Sequence, residues 1–257
     1  MCFDCLLSFP NVNLTLIKNG LQSNLNTNYM SWVTKTLSSS LGKKLIMSLT
    51  GLFLIIFLVG HVTGNLQLFI NDDGQAFNIY AKFMTTNPAV KILSYVTYIA
   101  IIGHVVYSII TTLANKKARP IGYQTSRAST NSAWTSRNMG VLGTIVLIFL
   151  VVHLQGFWYE MHWGNLPVVQ YDGEEYKDLY SIVKFAFAEP LLVLLYVVAM
   201  VFLGLHLSHG FASAFQTLGL NHKKYTPAIV FLGRVFSVVV PALFASMPIY
   251  LYISSLN

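Results

Sequence analysis

Long apolar stretches alternate with polar segments along this chain, and the pattern predicts helices that cross a membrane. Five stretches are mostly apolar and hold few or no charges. Each is close to the length of about 20 residues that spans a bilayer at about 1.5 Å per residue. The stretches are Leu45–Phe69, Ile92–Leu113, Met139–Phe157, Pro190–Phe215 and Ala228–Ile253. The predicted fold class is all-α, a polytopic membrane bundle of five transmembrane helices.

The segments outside these stretches predict less regular structure. Gln75–Met84 is compatible with a short helix that ends before Pro88. The segment Asn165–Lys184 mixes apolar with polar residues and is expected to lie along the outer membrane surface. Residues 1–30 are interpreted as a poorly ordered amino-terminal extension, and residues 31–257 as the membrane domain.

Composition supports this class, and the distribution of charge predicts the orientation. The chain is 54% hydrophobic and only 10% charged, with a net charge of +7. The segments before the first stretch, between the second and third, and between the fourth and fifth are basic, whereas the other two connections are mainly acidic. The positive-inside rule then places the amino terminus in the cytoplasm and the carboxyl terminus outside. Topology therefore explains the basic excess, and a nucleic-acid partner is not expected.

The two cysteines limit the redox chemistry of the membrane body. Cys2 and Cys5 both lie in the first few residues, and no cysteine follows them. A disulfide framework, an iron–sulfur cluster and covalently attached c-type haem are therefore excluded from the spanning region.

Histidines in four of the five predicted spans are the candidate functional groups. They are His61, His104, His153 and His206, and the fifth span has none. Ionisable residues within a bilayer usually face the bundle interior and mark a site. Measured from the cytoplasmic flank at about 1.5 Å per residue, His61 and His153 lie at roughly 24–26 Å, and His104 and His206 at roughly 15–18 Å. The sequence thus predicts two levels, each with one histidine from each of two helices.

Two imidazoles from facing helices are the ligand set of six-coordinate b-type haem iron. Glycines adjoin every one of these histidines and would let a helix backbone approach a porphyrin, although small residues also serve ordinary helix packing in membranes. They are Gly60, Gly64, Gly103, Gly156, Gly204 and Gly210. Zinc is disfavoured because no carboxylate or thiol lies within the spans. Two haem b groups are therefore expected, an outer one on His61 and His153 and an inner one on His104 and His206.

His209 lies three residues after His206 on the same helix face. Depth alone does not separate the two as ligands, and Gly210, four residues after His206, favours His206. His209 is then expected to be a neighbour of the ligand or of the haem propionates.

The whole arrangement resembles the single-chain, five-helix dihaem cytochrome b subunit of succinate dehydrogenase and fumarate reductase, in the form found in Bacteroidetes-like bacteria. The resemblance covers about Ser31 to the carboxyl terminus. The motifs that carry it are Ser40-Leu41-Gly42-Lys43-Lys44, His61-Val62-Thr63-Gly64-Asn65-Leu66 and Leu205–Gly219. The family pattern also favours His206 over His209 as a ligand.

The resemblance implies a membrane-anchor and electron-transfer subunit in the bacterial inner (cytoplasmic) membrane. A flavoprotein subunit would oxidise succinate or reduce fumarate, and an iron–sulfur subunit would dock on the cytoplasmic face. This chain would pass electrons through two haems to or from a quinone, usually menaquinone. The enzyme is then a succinate:quinone oxidoreductase complex whose dicarboxylate chemistry lies on the other subunits.

In dihaem relatives the quinone site tends to lie near the outer haem. The polar residues available there are Asn65, Gln67 and Gln155, and each is equally compatible with an interhelical hydrogen bond. Some relatives place a glutamate connected with proton movement two residues before the ligand of the fourth span, where this chain has Gly204. That departure puts electrogenic turnover in doubt.

Three other classes of protein share part of this pattern. The cytochrome b subunit of a hydrogenase or formate dehydrogenase also uses histidines in a small bundle, but it usually has four spans. The cytochrome b of quinol–cytochrome c reductase places two ligands on each of two helices, which the arrangement here contradicts. A haem-free transporter or membrane scaffold, with histidines that relay protons or only pack, is the alternative from another class.

Overall fold

The computed structural model of the chain describes residues 31–118 and 132–256. The contacts divide the chain into two units, Met1–Lys44 and Leu45–Asn257. In the first unit, residues 31–38 are helical and Ser39 interrupts the helix. The Gly42 N–H donates to the Ser39 hydroxyl at 3.0 Å, as in an N-cap, and a second helix begins at Ser40. The predicted extension, residues 1–30, lies outside the described residues, as do both cysteines.

The described residues contain five helices long and apolar enough to cross a membrane, which confirms the predicted all-α, five-helix fold of a multi-pass membrane protein. Four of the helices extend at one or both ends past the predicted apolar limits into polar residues, as at Ser40, Thr217 and Ser255, because hydropathy marks only the part of a helix that suits hydrocarbon. In chain order the longer helices are α1 (Ser40–Asn65), α2 (Gln75–Thr86), α3 (Pro88–Ala118), α4 (Met139–His153), α5 (Leu179–Ala186), α6 (Pro190–Thr217) and α7 (Thr226–Ser255). Helix α1 continues as a 3₁₀ turn, Leu66–Phe69, and α4 continues as a π-helical segment, Leu154–Tyr159, and a last turn, Glu160–Trp163.

The two shorter helices and a β-hairpin form the connections on one side of the spans. Helix α2 confirms the predicted short helix over Gln75–Met84. The segment Asn165–Lys184 contains a hairpin that was not predicted, in which β1 (Val168–Tyr171) pairs antiparallel with β2 (Glu174–Lys177). Its turn is Asp172-Gly173, and both residues have positive φ, 52° and 81°. This is the Asp-Gly turn that suits the twist of a two-residue hairpin.

A buried polar junction joins α2, the hairpin and α5. Asn78 is 0% exposed. Its amide nitrogen donates to Asp178 Oδ1 at 2.9 Å and to Tyr171 Oη at 3.2 Å. Its oxygen accepts from the Tyr180 N–H at 3.0 Å. Asp178 also caps α5 by accepting from the Ser181 N–H and hydroxyl. Both the amide nitrogen and the amide oxygen of Asn78 thus bond to residues outside α2. These hydrogen bonds fix the connections relative to one another.

The junction predicts a pH dependence of stability. Burial raises the pKa of the Asp178 carboxyl, but the hydrogen bonds from Ser181 and Asn78 outweigh burial and hold that pKa below its usual range. A carboxyl with a lower pKa in the folded state stabilises the fold above its ordinary pKa of about 4, and this contribution is lost as the pH falls through the folded pKa.

We therefore expect the melting temperature of the detergent-solubilised protein to fall on acidification below about pH 4, and to fall less in Asp178→Asn, which keeps the cap but has no charge to lose. Asp172→Asn, at the exposed hairpin turn, is the matched control and should follow the wild type. Equal acid sensitivity of Asp178→Asn and wild type would contradict the assignment.

Helices α6 and α7 pack most closely, and Gly204 lies at their contact. A Cβ at position 204 would lie 2.7 Å from the backbone oxygen of Ser237. Pro241, four residues after Ser237, has no N–H, so this oxygen lacks its usual helical donor and instead faces the Gly204 backbone. The contact sets α6, and with it His206, against α7.

Candidate functional site

The outer histidine pair lies where α1 and α4 face each other. The rings of His61 and His153 have centroids 5.8 Å apart and planes at 83° to each other. Aromatic side chains enclose the pair, with Phe57 stacked on His61 at 5.3 Å and Phe149 stacked on His153 at 5.7 Å. Phe157, Tyr196 and Phe244 complete the surround.

The inner histidine pair lies between α3 and α6. The centroids of His104 and His206 are 6.3 Å apart, and their planes are at 68°. A glycine of a neighbouring helix faces each ring. A Cβ at Gly51 of α1 would lie 3.4 Å from His104 Cε1, and a Cβ at Gly143 of α4 would lie 3.6 Å from His206 Cε1.

The structure therefore brings together the histidines that share a depth in the sequence. His61 contacts the ring of His153, and His104 contacts the ring of His206. Each pair takes one ring from each of two helices, so all four histidine-bearing spans contribute. Helix α7, which has no histidine, contributes Phe244 beside His61.

The Nδ1 atoms of the four histidines have different partners. Thr50 Oγ1 lies 3.2 Å from His104 Nδ1. Tyr196 Oη lies 3.4 Å from His153 Nδ1. Asn65 Nδ2 lies 3.5 Å from His61 Nδ1 while it donates to the His61 carbonyl at 2.8 Å. His206 Nδ1 is buried and has no hydrogen-bond partner among the described residues.

The other predicted site residues are less closely involved. Asn65 is partly buried and adjoins His61, as the quinone prediction requires. Gln67 is partly buried in the 3₁₀ turn after α1, and Gln155 is exposed on the π-helical segment after His153. His209 is partly buried one turn beyond His206. Of the three residues predicted for the quinone site, Asn65 is the one whose side chain contacts a histidine of the outer pair.

The residues present at both pairs fit a b-type haem. A bond from a metal to an imidazole nitrogen is about 2 Å long, so two imidazoles on opposite sides of one iron have centroids roughly 6 Å apart. The observed values are 5.8 and 6.3 Å. Edge-to-face ring contacts without metal have similar spacing, so the distance permits iron without requiring it.

The number of ligand side chains at each pair also fits haem iron better than zinc. Each pair offers neutral ring nitrogens, and no three His, Cys, Asp or Glu side chains converge among the residues described. A haem takes two axial ligands from the protein, whereas a structural zinc ion takes four. His206 Nδ1 is buried without a partner among the described residues, and a glycine faces each inner ring, and both features are compatible with a bound group at this pair.

The sequence did not predict the residues that contact these rings from neighbouring positions, among them Thr50, Gly51, Gly143 and Tyr196. One signal was available. In both α1 and α4 a glycine stands ten residues before the outer histidine, Gly51 before His61 and Gly143 before His153. Ten residues advance about 15 Å along a helix, and in the structure each of these two glycines faces an inner imidazole.

A scan against protein-family models, a search of curated proteins and a search of solved structures each found no match to this chain. The class of the protein is therefore defined by its own geometry. It is a multi-pass membrane protein whose five candidate spanning helices hold two histidine pairs.

Proposed function

We propose that this chain is the dihaem cytochrome b subunit of a succinate:quinone oxidoreductase, a succinate dehydrogenase or fumarate reductase. It would anchor that complex in a bacterial inner membrane and carry electrons between an iron–sulfur subunit and quinone. The observation that carries the proposal is the presence of two histidine pairs, His61 with His153 and His104 with His206. Each pair draws on two different helices and is enclosed within the bundle.

The residues have distinct roles in this proposal. His61 and His153 would ligate the outer haem, and His104 and His206 the inner one. A haem bound at each pair would supply a one-electron redox centre. The aromatic side chains stacked on His61 and His153 would supply apolar surroundings for that haem. His209 lies on α6 one turn beyond His206, the ligand that α6 would supply to the inner haem. It would be a neighbour of that haem.

The proposal also orders the partners across the membrane. The amino terminus would be cytoplasmic by the positive-inside rule, which puts the inner pair nearer the iron–sulfur subunit on the cytoplasmic face and the flavoprotein beyond it. Quinone, usually menaquinone in this family, would bind near the outer pair. Asn65 is the residue best placed to contact it, since its side chain lies beside His61, and Gln67 follows in the next turn.

Purification of the tagged chain from its native membrane in mild detergent tests this function. We expect a flavoprotein and an iron–sulfur protein to co-purify, and the complex to reduce an added quinone with succinate or to reduce fumarate with a quinol. Capture of hydrogenase or formate dehydrogenase subunits would move the chain to that family of cytochromes b. Purification of the chain without haem would favour a transporter or scaffold and contradict the proposal.

A further inference from the structure

We propose that Thr50 and Tyr196 are positioning residues, each holding the Nδ1 atom of one histidine in a pair so that its Nε2 is left for iron. The inference rests on the proposed function and deepens it. It assigns to the Thr50 hydroxyl control over the tautomer of His104. It assigns to both hydroxyl groups, which lie outside the ligand set, control over the orientation of the ring that each contacts.

Thr50 is the clearer case because its own hydrogen is already used. The Thr50 hydroxyl donates within α1 to the Ile46 carbonyl at 2.8 Å, with the Met47 carbonyl at 3.2 Å. Its lone pairs therefore face His104 Nδ1, 3.2 Å away, as acceptors. A neutral imidazole that donates from Nδ1 has its lone pair on Nε2. The threonine thus selects the tautomer in which Nε2 is available as a metal ligand.

Gly51 makes room for this contact. A Cβ at position 51 would lie 3.4 Å from His104 Cε1 and 3.8 Å from His104 Nδ1. The Nδ1–Cε1 edge of the ring therefore rests against the Thr50-Gly51 backbone of α1. The Met47 carbonyl of α1 is a further hydrogen-bond partner of the His104 ring, so α1 fixes the ring from one side.

Tyr196 supplies the equivalent contact at the outer pair. It is 7% exposed, and its ring packs against Phe149, Phe157 and Phe187 with centroids 5.0, 6.1 and 4.9 Å away. These contacts hold its hydroxyl 3.4 Å from His153 Nδ1. A buried Tyr hydroxyl usually keeps a hydrogen-bond partner, and His153 is the partner that the structure provides.

Each pair consequently has one imidazole whose Nδ1 lies beside a hydroxyl oxygen, at 3.2 Å for His104 and 3.4 Å for His153, and one whose Nδ1 does not. The side-chain atom in contact with His61 Nδ1 at 3.5 Å is the amide nitrogen Asn65 Nδ2, which is a donor. His206 Nδ1 has no partner within the described chain. Removing one anchor should therefore alter one haem and leave the other unchanged.

The test replaces each anchor in the intact complex, as Thr50→Val and Tyr196→Phe, and measures haem content and the reduction potential of both haems. Losing an acceptor makes the imidazole less basic and favours reduced iron. A lost hydrogen bond is worth roughly threefold to tenfold in an equilibrium, which is a rise of about 30–60 mV at 59 mV per tenfold for one electron. Thr50→Val should raise the reduction potential of the inner haem only, and Tyr196→Phe should raise the reduction potential of the outer haem only.

Matched controls separate positioning from general packing. Thr50→Ser keeps the hydroxyl and should restore the wild-type potential. Thr144→Val removes an exposed hydroxyl that bonds within its own helix at 2.8 Å, and Tyr95→Phe changes an exposed tyrosine of α3. Both should leave the two potentials unchanged.

The outcomes test the positioning roles of Thr50 and Tyr196 separately from the proposed dihaem function. If the wild type carries two haems but Thr50→Val and Tyr196→Phe shift neither potential, or Thr50→Ser behaves like Thr50→Val, the positioning roles are wrong and the dihaem function stands. A wild-type complex without haem overturns both.

Discussion

Replacing His61 or His153 with alanine is expected to remove one haem from the protein, and replacing His104 or His206 the other. Under the proposed function, each substitution would delete one of the two imidazoles that hold a haem, and the remaining imidazole of that pair would not alone hold six-coordinate iron. Haem content should fall from about two per chain to about one in every variant. The variants of one pair should lose the same spectral and redox component, because the proposal assigns one iron to each pair.

Optical redox titration of the four purified variants checks this prediction. His162→Ala is the control, since that exposed ring stacks on Trp158 at the end of the third span and should retain both haems. His209→Ala should also retain both, which would separate His209 from its neighbour His206 as a ligand. Crossed losses, such as His61 and His104 removing the same component, would show that the pairs are assigned incorrectly.

Gly143→Val is expected to prevent binding of the inner haem and to leave the outer haem bound. A Cβ at Gly143 alone would meet His206 Cε1 at 3.6 Å, which is ordinary van der Waals contact. The two further methyl groups of valine would project into the ring and push His206 out of line with His104, because close-packed interiors have little room for added volume. The expected haem content is about one per chain.

Two neighbouring substitutions control for helix propensity and for size. Gly143→Ala should keep most of the inner haem, because its Cβ fits. Gly140→Val lies one turn earlier on α4, where nothing is within 4 Å of the added Cβ, and should keep both haems. Loss of the inner haem from Gly140→Val as well would mean that valine disturbs α4 generally. It would contradict a specific role of Gly143 in making room for the His206 ring.

The fold was predictable to the extent that it depends on hydropathy. Apolar runs of membrane-spanning length are a one-dimensional property of the sequence, so all five spans and the short helix α2 were found. The hairpin at Val168–Lys177 was not predicted, although Asp172-Gly173 is a recognised turn signal. Two four-residue strands show too few alternating positions to stand out in a mixed polar segment.

The site was predictable where it depends on depth. The rise per residue fixes the level of each histidine in the membrane, and the pairs now in contact are those that share a level. The positions of Thr50 and Tyr196 depend on how each helix is rotated about its axis and on which helix is its neighbour. Neither can be read from distance along one chain segment, so these contacts required the three-dimensional structure.

Gly204 stands where some members of the proposed family have a glutamate, and the packing at this position shows whether a longer side chain would fit. A glutamate there would need room for a long side chain. Here even a Cβ would lie 2.7 Å from the Ser237 oxygen, in the contact between α6 and α7. The close helix contact and a carboxylate are incompatible at this position, so any proton pathway in this protein must use other groups.

The central claim is that each histidine pair binds one haem b. A pyridine haemochrome assay on the purified protein, combined with its concentration from quantitative amino-acid analysis, measures this directly. We predict two b haems per chain, one for each of the two pairs. Clearly less than one haem per chain would contradict the account and leave the four histidines as packing or proton-relay residues.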